Sequence, residues 1–428
     1  MKFTKTLAAA AGVGLVAAGL LSAAPASADP SGTPAGGDRA LVGVGSDTTQ
    51  NVMNDLADVV TIGGVKQIAS WDAIGSGSFT TRTTLPANAL NCSYTRSEAN
   101  GSSAGRSRLL DSLTTGNART GCLDFARSSS ARAGLNTLPS MTWIPFAKDT
   151  STYVTRADGN VSRVGLTLTD VQNVFKCLST GDGTWPVLPQ TGSGSRAFWL
   201  SQMGPITEAQ IDNGTYSCLV PVGTVAGQKG VTAISRASNV VTATVSSAVT
   251  GLAVGNNVVV TNVSGFSGTF SVSAILTSPA RIQWTQNVAD ATGVVGATSF
   301  AYKSGSIAGI GRAYQQENDG RSLKVDEMMP FSVGLFNTQA AGANADVRGN
   351  LNVLSQIGDN LPVQGNASFP VARDLYNIIP TAKVIDGVTD AFDTVFIGSN
   401  SLICQNTSTI AKNGFAPSPS CGNASDQS

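Results

Sequence analysis

Short runs of serine, threonine and glycine recur in the sequence, and four of them follow a stretch that is typical of a strand. They are Gly45–Gln50 (GSDTTQ), Gly75–Phe79 (GSGSF), Arg127–Arg132 (RSSSAR) and Thr191–Arg196 (TGSGSR). A helix start leaves backbone N–H groups unpaired and hydroxyls add donors, so such turns can bind an anion. One such run alone is more often a plain helix cap or a flexible loop. Four runs at strand ends, where ligands gather in α/β sheets, predict a shared anion site.

Catalytic chemistry is restricted because the 428 residues contain no histidine. Ser–His–Asp and Cys–His centres are excluded, and so are the usual histidine ligands of zinc. Gly101–Gly105 (GSSAG) has the spacing of a hydrolase nucleophile, but without a histidine base we interpret it as a loop. We therefore expect no enzyme activity, no cofactor and no metal site.

The cysteines favour disulfides in an exported chain, since their number is even and none has C-x-x-C spacing. Sequence alone permits about fifteen pairings of six cysteines. Sequential pairing closes three local loops, and it predicts the bonds Cys92–Cys122, Cys177–Cys218 and Cys404–Cys421.

The first 28 residues have the features of a cleavable signal peptide. Lys2 and Lys5 precede an apolar run from Leu7 to Leu21, and the small residues Ala26–Ala28 follow. No cysteine adjoins this segment, so we predict a secreted, extracellular protein without a lipid anchor. Without the two lysines, 25 basic residues face 27 acidic ones. That balance provides no basic field for nucleic acid or for an anionic membrane.

The rest of the chain is too long for one compact core, and its composition divides it. Residues 29–39 are polar and predict a flexible lead-in. Residues 229–300 alternate Val, Ile and Thr with small polar residues, which predicts an inserted all-β module. We assign the remainder to two lobes, lobe I (40–147 and 328–420) and lobe II (148–228 and 301–327).

Strand and helix patterns alternate within these lobes. Met141–Thr155 is typical of a strand that passes between them, with Lys148–Thr150 at a hinge or simply on the surface. Val52, Leu56 and the pair Val59–Val60 lie at helical spacing after the first turn and predict a helix. The pattern predicts return strands at Met328–Gln339 and Phe369–Pro380.

The order of the four turns resembles the PstS-type phosphate-binding proteins of ABC transporters. It is carried by GVGSDTTQ, AIGSGSF, LDFARSSSAR and TGSGSRAF, and covers most of residues 40–220 and, more weakly, 302–418. The resemblance implies an α/β fold of the two-lobed type II periplasmic-binding-protein class, here with an inserted all-β domain. It also implies a monomer that binds phosphate or a similar oxyanion and delivers it to an ABC transporter permease.

The resemblance implies a set of ligand-binding residues where the turns match. In chain order these are Ser46, Asp47, Thr48, Ser76, Ser129, Ser193, Gly194, Ser195 and, as a replacement, Arg196.

Two departures from the family pattern affect this set. Ser129 stands where the family has an aspartate that accepts the proton of monohydrogen phosphate, and Pro189 stands where it has an arginine. Asp47 could replace the acceptor, or could only cap the helix that follows it. Arg196, or less readily Arg127, could supply the guanidinium, since arginine binds oxyanions in bidentate fashion. Otherwise Arg196 is a solvated residue of a first helical turn.

Two functions remain open. The first is an extracellular solute-binding protein that captures phosphate or a similar oxyanion for ABC-type uptake. The second is a secreted surface or adhesion protein that keeps the fold without a transport role, which the β insertion and the missing lipid anchor favour. A secreted phosphatase on this fold would need a nucleophile–base pair, and the sequence offers none.

Overall fold

The structure is a computed structural model. It describes residues 29–30, 38–87, 89–132, 141–178, 183–222, 229–249, 252–261, 263–277, 279–293, 300–303, 310–365 and 369–425. The predicted signal peptide, residues 1–28, lies outside these ranges, as do residues 31–37 of the predicted lead-in. None of the helices formed by the described residues has the length and apolar character needed to cross a membrane.

The first part of the chain contains strands of the main sheet, two separate antiparallel strand pairs and three helices. Its strands are β1 (Leu41–Gly45), β2 (Thr61–Ile62), β3 (Val65–Lys66), β4 (Ile68–Ser70), β5 (Ser78–Thr80), β6 (Ser93–Thr95), β7 (Phe125–Ser128) and β8 (Met141–Arg156). Its helices are α1 (Gln50–Val59), α2 (Arg96–Ala99) and α3 (Ser102–Leu113). Strand β1 pairs in parallel with both β4 and β7. Helix α1 buries Val52 and Leu56, as their spacing predicted, whereas Val59 at its end is exposed.

The prediction of a loop at Gly101–Gly105 is wrong, because helix α3 begins at Ser102. Gly101 precedes it with φ +104°, a conformation that favours glycine. A Cβ at Gly105 would lie 2.5 Å from Gly45 Cα, so the glycine allows α3 to pack directly on β1.

The next part crosses to the other end of the molecule and continues there. Its elements are α4 (Leu168–Phe175), β9 (Trp185–Pro186), α5 (Gly194–Gln202) and α6 (Glu208–Asp212). Trp199 on α5 is fully buried and packs edge-on against Phe175 of α4. This contact fixes the orientation of α5, whose first turn is the fourth Ser/Gly run.

An antiparallel sheet is then inserted. Its strands are β10 (Lys229–Ala237), β11 (Val240–Val245), β12 (Asn257–Thr261), β13 (Gly268–Ser271), β14 (Ala274–Thr277), β15 (Ala280–Thr285), β16 (Ala291–Gly293) and β17 (Phe300–Lys303). They pair in the order β13-β12-β17-β10-β11-β15-β14, and β16 also pairs with β10. The sheet has its own apolar core, which includes Val241, Phe266 and Trp284. Pro221 and Gly311, on either side of the insertion, form a parallel bridge, so the chain leaves and returns at one point.

The last part returns to the main sheet. Its strands are β18 (Glu327–Ser332), β19 (Asn352–Leu354), β20 (Ala372–Pro380) and β21 (Ala416–Pro417). Its helices are α7 (Val333–Ala340), α8 (Ala382–Ile385), α9 (Ala391–Phe396), α10 (Leu402–Gln405) and α11 (Thr407–Lys412). The return strand predicted over Met328–Gln339 is therefore too long. It ends at Ser332, whose hydroxyl accepts a hydrogen bond from Leu335 N and caps α7.

The main sheet joins two lobes through one long strand. Its order is β4-β1-β7-β20-β8-β18-β9, with β20 antiparallel to both β7 and β8. The first half of β8 pairs with β20, and the second half pairs with β18 and β19. Separate apolar clusters cover the two ends, one around Phe125 and Val395 and one around Phe175 and Trp199. The predicted class, α/β with an inserted all-β unit, is confirmed.

All six cysteines lie in the described residues and form disulfides. The bonds are Cys92–Cys122, Cys177–Cys218 and Cys404–Cys421, which are the sequential pairs. Disulfides of this kind are typical of proteins that fold in an oxidising compartment outside the cytosol.

Candidate anion-binding site

Three of the four Ser/Thr/Gly turns meet in the interior between the lobes. Ser46 Oγ, from the β1–α1 turn, donates a hydrogen bond to Ser129 Oγ, after β7, at 2.9 Å. Thr48 Oγ1 lies 3.3 Å from Ser195 Oγ, in the first turn of α5. All four side chains are buried. The structure thus brings together hydroxyls that are up to 149 residues apart in the sequence.

The start of α5 is held close to this cluster by a cap and a glycine. Ser193 Oγ accepts a hydrogen bond from Arg196 N at 3.1 Å and caps the helix. A Cβ at Gly194 would overlap the hydroxyls of Ser102 and Ser129, so glycine is required at this close approach. Ser193 and Gly194 therefore position the helix start, and Ser195 faces the cluster.

Ser102, which no prediction included, is also part of the cluster. Its hydroxyl accepts a hydrogen bond from Ser129 N at 3.0 Å and orients the turn after β7. The signal was present in the sequence, because GSSAG is a Gly/Ser run before a helix like the other turns. The same residues have the spacing of a hydrolase motif, which hides this signal.

A carboxylate occupies the centre of the cluster. Glu317 Oε1 accepts hydrogen bonds from Thr48 Oγ1 at 2.5 Å, from Ser195 N at 3.1 Å and from Ser129 Oγ at 3.3 Å. Glu317 is only 1% exposed. A helix-start N–H and two hydroxyls therefore converge on one anionic oxygen, which is the arrangement that a buried anion needs.

The guanidinium of the site comes from Arg373 on β20. Its Nη2 donates to Ser195 Oγ at 2.7 Å, and its Nη1 donates to the carbonyl oxygen of Ser129 at 2.9 Å. Arg373 Nη2 also lies 2.9 Å from Asp149 Oδ2, and the two residues are opposite each other in the β20–β8 register. Asp149 is fully buried, so its interpretation as a surface residue near the hinge is wrong.

The two arginines considered from the sequence have other partners. Arg196 is 1% exposed, so the alternative of a solvated arginine is wrong. Its Nε and Nη2 donate to Glu208, at 2.7 and 2.8 Å, and its Nη1 donates to the carbonyl oxygen of Pro189 at 3.0 Å. Arg127 Nε donates to the carbonyl oxygen of Ser46 at 3.2 Å and holds the β1–α1 turn. Both guanidinium groups are directed at these partners and not at the cluster.

Asp47 faces Glu317 and does not cap α1. The N-cap of α1 is Thr49, and it makes no side-chain capping bond. Asp47 Oδ2 accepts a hydrogen bond from Gln316 Nε2 at 2.8 Å. Asp47 Oδ1 and Glu317 Oε2 are both buried. Among the described residues, neither oxygen has a hydrogen-bond donor as long as both carboxyls are ionised. The hydrogen bond between the Asp47 and Glu317 side chains requires a proton on one of the two carboxyls.

The environment of the pair decides which carboxyl carries the proton. Burial, and then the charge of Glu317, raise the pKa of Asp47 well above its usual value. Burial also acts to raise the pKa of Glu317, but the hydrogen bond from Asp47, the charge of Arg373 and the donors Ser195 and Thr48 outweigh it and lower that pKa. These opposite shifts favour the proton on Asp47 and the negative charge on Glu317.

Ser76 is not brought to the cluster. It lies on an exposed turn between β4 and β5, and it takes part in none of the hydrogen bonds that connect the described site residues. Gln50 Oε1 accepts hydrogen bonds from Ala73 N and Ile74 N at the start of this turn, at 2.7 and 3.2 Å. The N–H groups of Ala73 and Ile74 are therefore not available to an anion.

No family model matches the sequence, and no curated protein matches it. Similar solved structures include a Clostridium perfringens protein with bound phosphate, at 10% identity and a TM-score of 0.43, covering 88% of this chain and 99% of that one. An ABC-type phosphate transport receptor from Vibrio cholerae matches at 11% identity and a TM-score of 0.40, over 88% and 99% of the chains. PstS from Borrelia burgdorferi matches at 10% identity and a TM-score of 0.35, over 89% and 99%. The residues of the site therefore carry the functional assignment.

Proposed function

We propose that this chain is an extracellular solute-binding protein that captures phosphate or a similar oxyanion between its lobes. The observation that carries the proposal is the set of donors around Glu317 Oε1, which already stabilises one buried anionic oxygen. An oxyanion presents oxygens of the same charge and hydrogen-bonding type. Its binding residues would be Ser46, Thr48, Ser129, Ser195 and Arg373.

The donors come from both lobes, which suits a ligand that closes a cleft. Thr48 and Ser129 belong to the first part of the main sheet, and Ser195 belongs to α5 at the other end. An anion bound to all of them would hold the lobes together, and a permease of the ABC type would recognise that closed form. The role is binding without chemistry, so it needs no nucleophile or base.

Asp47 gives the site a means of choosing between anions. In its neutral form Asp47 would donate to phosphate and sulfate alike, but once it ionises, as the pH rises, it would accept the proton that monohydrogen phosphate carries. Sulfate has no such proton, and its charge would be repelled by the carboxylate. We therefore expect the preference for phosphate over sulfate to increase as the pH rises and Asp47 ionises.

Isothermal titration of the chain from residue 29 onward tests this function, with phosphate as ligand and sulfate as competitor near pH 7. Thr48→Val, made in a Glu317→Ala chain because Thr48 also donates to Glu317, keeps the shape of the side chain but removes a hydroxyl donor to the anion. A hydrogen bond to a charged group contributes about 1.5–3 kcal/mol, so we expect roughly 10- to 100-fold weaker phosphate binding. Thr80→Val, at an exposed position of β5, is the matched control in the same background and should bind phosphate as the Glu317→Ala chain does.

The surface-protein alternative has one specific observation in its favour, because the anion site is filled by the protein's own carboxylate. It predicts no heat with phosphate or sulfate, both for the wild-type chain and for the Glu317 variant described below. That result would contradict the proposed function.

A further inference from the structure

We propose that Glu317 is an internal ligand of the anion site, which holds the cleft closed and which an incoming oxyanion has to displace. This inference rests on the proposed function for the identity of the displacing ion. It starts from the position of Glu317 on residues 310–326, the segment that leads from the insertion to β18. We call this segment the strap.

The strap is fixed to the second lobe by its backbone. Gln315 N donates to the carbonyl oxygen of Leu188 at 3.0 Å, and Gln190 N donates to the carbonyl oxygen of Gln315 at 2.7 Å. Glu317 N donates to Gln190 Oε1 at 2.7 Å. These bonds lie just before α5, so the strap and the start of α5 form one surface.

Side chains of the strap reach the first lobe at the same place. Gln316 Nε2 donates to Asp47, and Gln316 Oε1 accepts a hydrogen bond from Asn100 Nδ2 at 3.1 Å. Asn318 Nδ2 donates to Thr48 Oγ1 at 3.0 Å. Glu317 lies between them and bonds to hydroxyls of the first lobe and to the α5 backbone of the second. Three successive residues therefore connect the lobes as a bound anion would.

Glu317 and an external anion cannot use the same donors at once. Thr48 Oγ1 has a single proton, and it points at Glu317 Oε1. Phosphate can bind only in molecules whose strap has withdrawn the carboxylate, so the apparent affinity is reduced by the fraction of such molecules. If that fraction is about 0.1–10%, as is usual for a minor state, wild-type affinity is roughly 10- to 1000-fold below that of a chain without the carboxylate.

Phosphate titration of Glu317→Ala tests the competition. We expect binding at least roughly tenfold tighter than for the wild type. Asp319→Ala is the matched control, because Asp319 is on the same strap but its carboxylate pairs with the exposed Arg321. It should bind phosphate as the wild type does. Equal or weaker binding by Glu317→Ala would overturn the proposal, whereas phosphate binding itself would still stand.

Acetate provides a second readout that does not depend on phosphate. It carries the carboxylate that the alanine variant lacks, so it should raise the Tm of Glu317→Ala by binding in the vacated position. The Tm of the wild type should not respond. Stabilisation of the variant by acetate without phosphate binding would support the internal ligand and contradict the proposed function. An equal response of both proteins to acetate would overturn the internal ligand.

Discussion

Replacing Arg373 by methionine removes the only guanidinium among the described residues that donates into the hydroxyl cluster. Arg373 and Asp149 form an ion pair whose side chains are 3% and 0% exposed. Methionine has a similar length and no charge. It leaves the Asp149 carboxylate buried with Ser332 Oγ as a remaining donor, at 2.7 Å, and leaves Glu317 without its nearest positive charge.

The size of the effect follows from this burial. Removing one partner of a buried ion pair costs about 3–5 kcal/mol, because the remaining charge has no compensation and little access to water. An exposed pair is worth only about 0–1 kcal/mol. We therefore expect Arg373→Met to lower the free energy of unfolding by about 3–5 kcal/mol. Arg321→Met, at a site 62% exposed and paired with Asp319, should change it by less than about 1 kcal/mol.

Guanidinium unfolding of the full chain with its disulfides intact, followed by tryptophan fluorescence, measures both variants. Asp149→Asn in the Arg373→Met background should restore part of the loss, with a coupling of about 0.5–3 kcal/mol, because it removes the uncompensated charge. A loss below about 1 kcal/mol for Arg373→Met would refute the reasoning, since it would mean that the pair behaves as if it were exposed. The same holds if the second substitution adds a further full loss.

Three other changes have definite outcomes. Asp47→Asn keeps a donor toward Glu317 but cannot ionise. Because the pKa of Asp47 is raised in the folded wild type, the folded protein binds this proton more tightly than the unfolded chain does. The free energy of unfolding of the wild type should therefore fall as the pH rises above the ordinary carboxyl range. The unfolding free energy of the variant relative to the wild type should therefore increase from about pH 4 to about pH 8 in guanidinium titrations, and parallel curves would contradict the shared proton. Gly194→Ala places a Cβ against two serine hydroxyls, so it should cost about 1–3 kcal/mol in the same assay and weaken phosphate binding in titration calorimetry. Excision of residues 223–309 with a short Gly/Ser link should leave the main sheet folded by circular dichroism, since the insertion has its own core, and loss of cooperative unfolding would contradict this.

The elements that sequence patterns predicted are those with local signals. Val52 and Leu56 give α1 its apolar face, and Ser193 caps α5, because spacing and capping act within a few residues. The two wrong secondary-structure predictions, the loop at Gly101–Gly105 and the long strand at Met328–Gln339, also come from signals within a few residues. Gly101 belongs to a motif with hydrolase spacing but precedes a helix start, and the cap residue Ser332 lies inside an apolar run that is typical of a strand.

The residues of the candidate site also divide into those with a local sequence signal and those without one. Ser46, Thr48, Ser129 and Ser195 could be predicted because each follows a strand of one sheet or begins a helix beside it. Asp47 was predicted too, but Glu317 and Arg373 could not be assigned from the sequence. Arg373 is the only arginine of β20, whose sequence is ARDLYNIIP, and this pattern does not indicate which residue the arginine pairs with.

By itself, the sequence determined the alternation of strands and helices, the β insertion and the hydroxyl-bearing turns, because each depends on neighbouring residues. Tertiary structure alone decided what these turns surround. The β20–β8 register puts Arg373 opposite Asp149, 224 residues away, and the path of the strap after the insertion brings Glu317 into the cluster. Both placements arise from long-range pairing between segments, and no local pattern of residue types encodes such pairing.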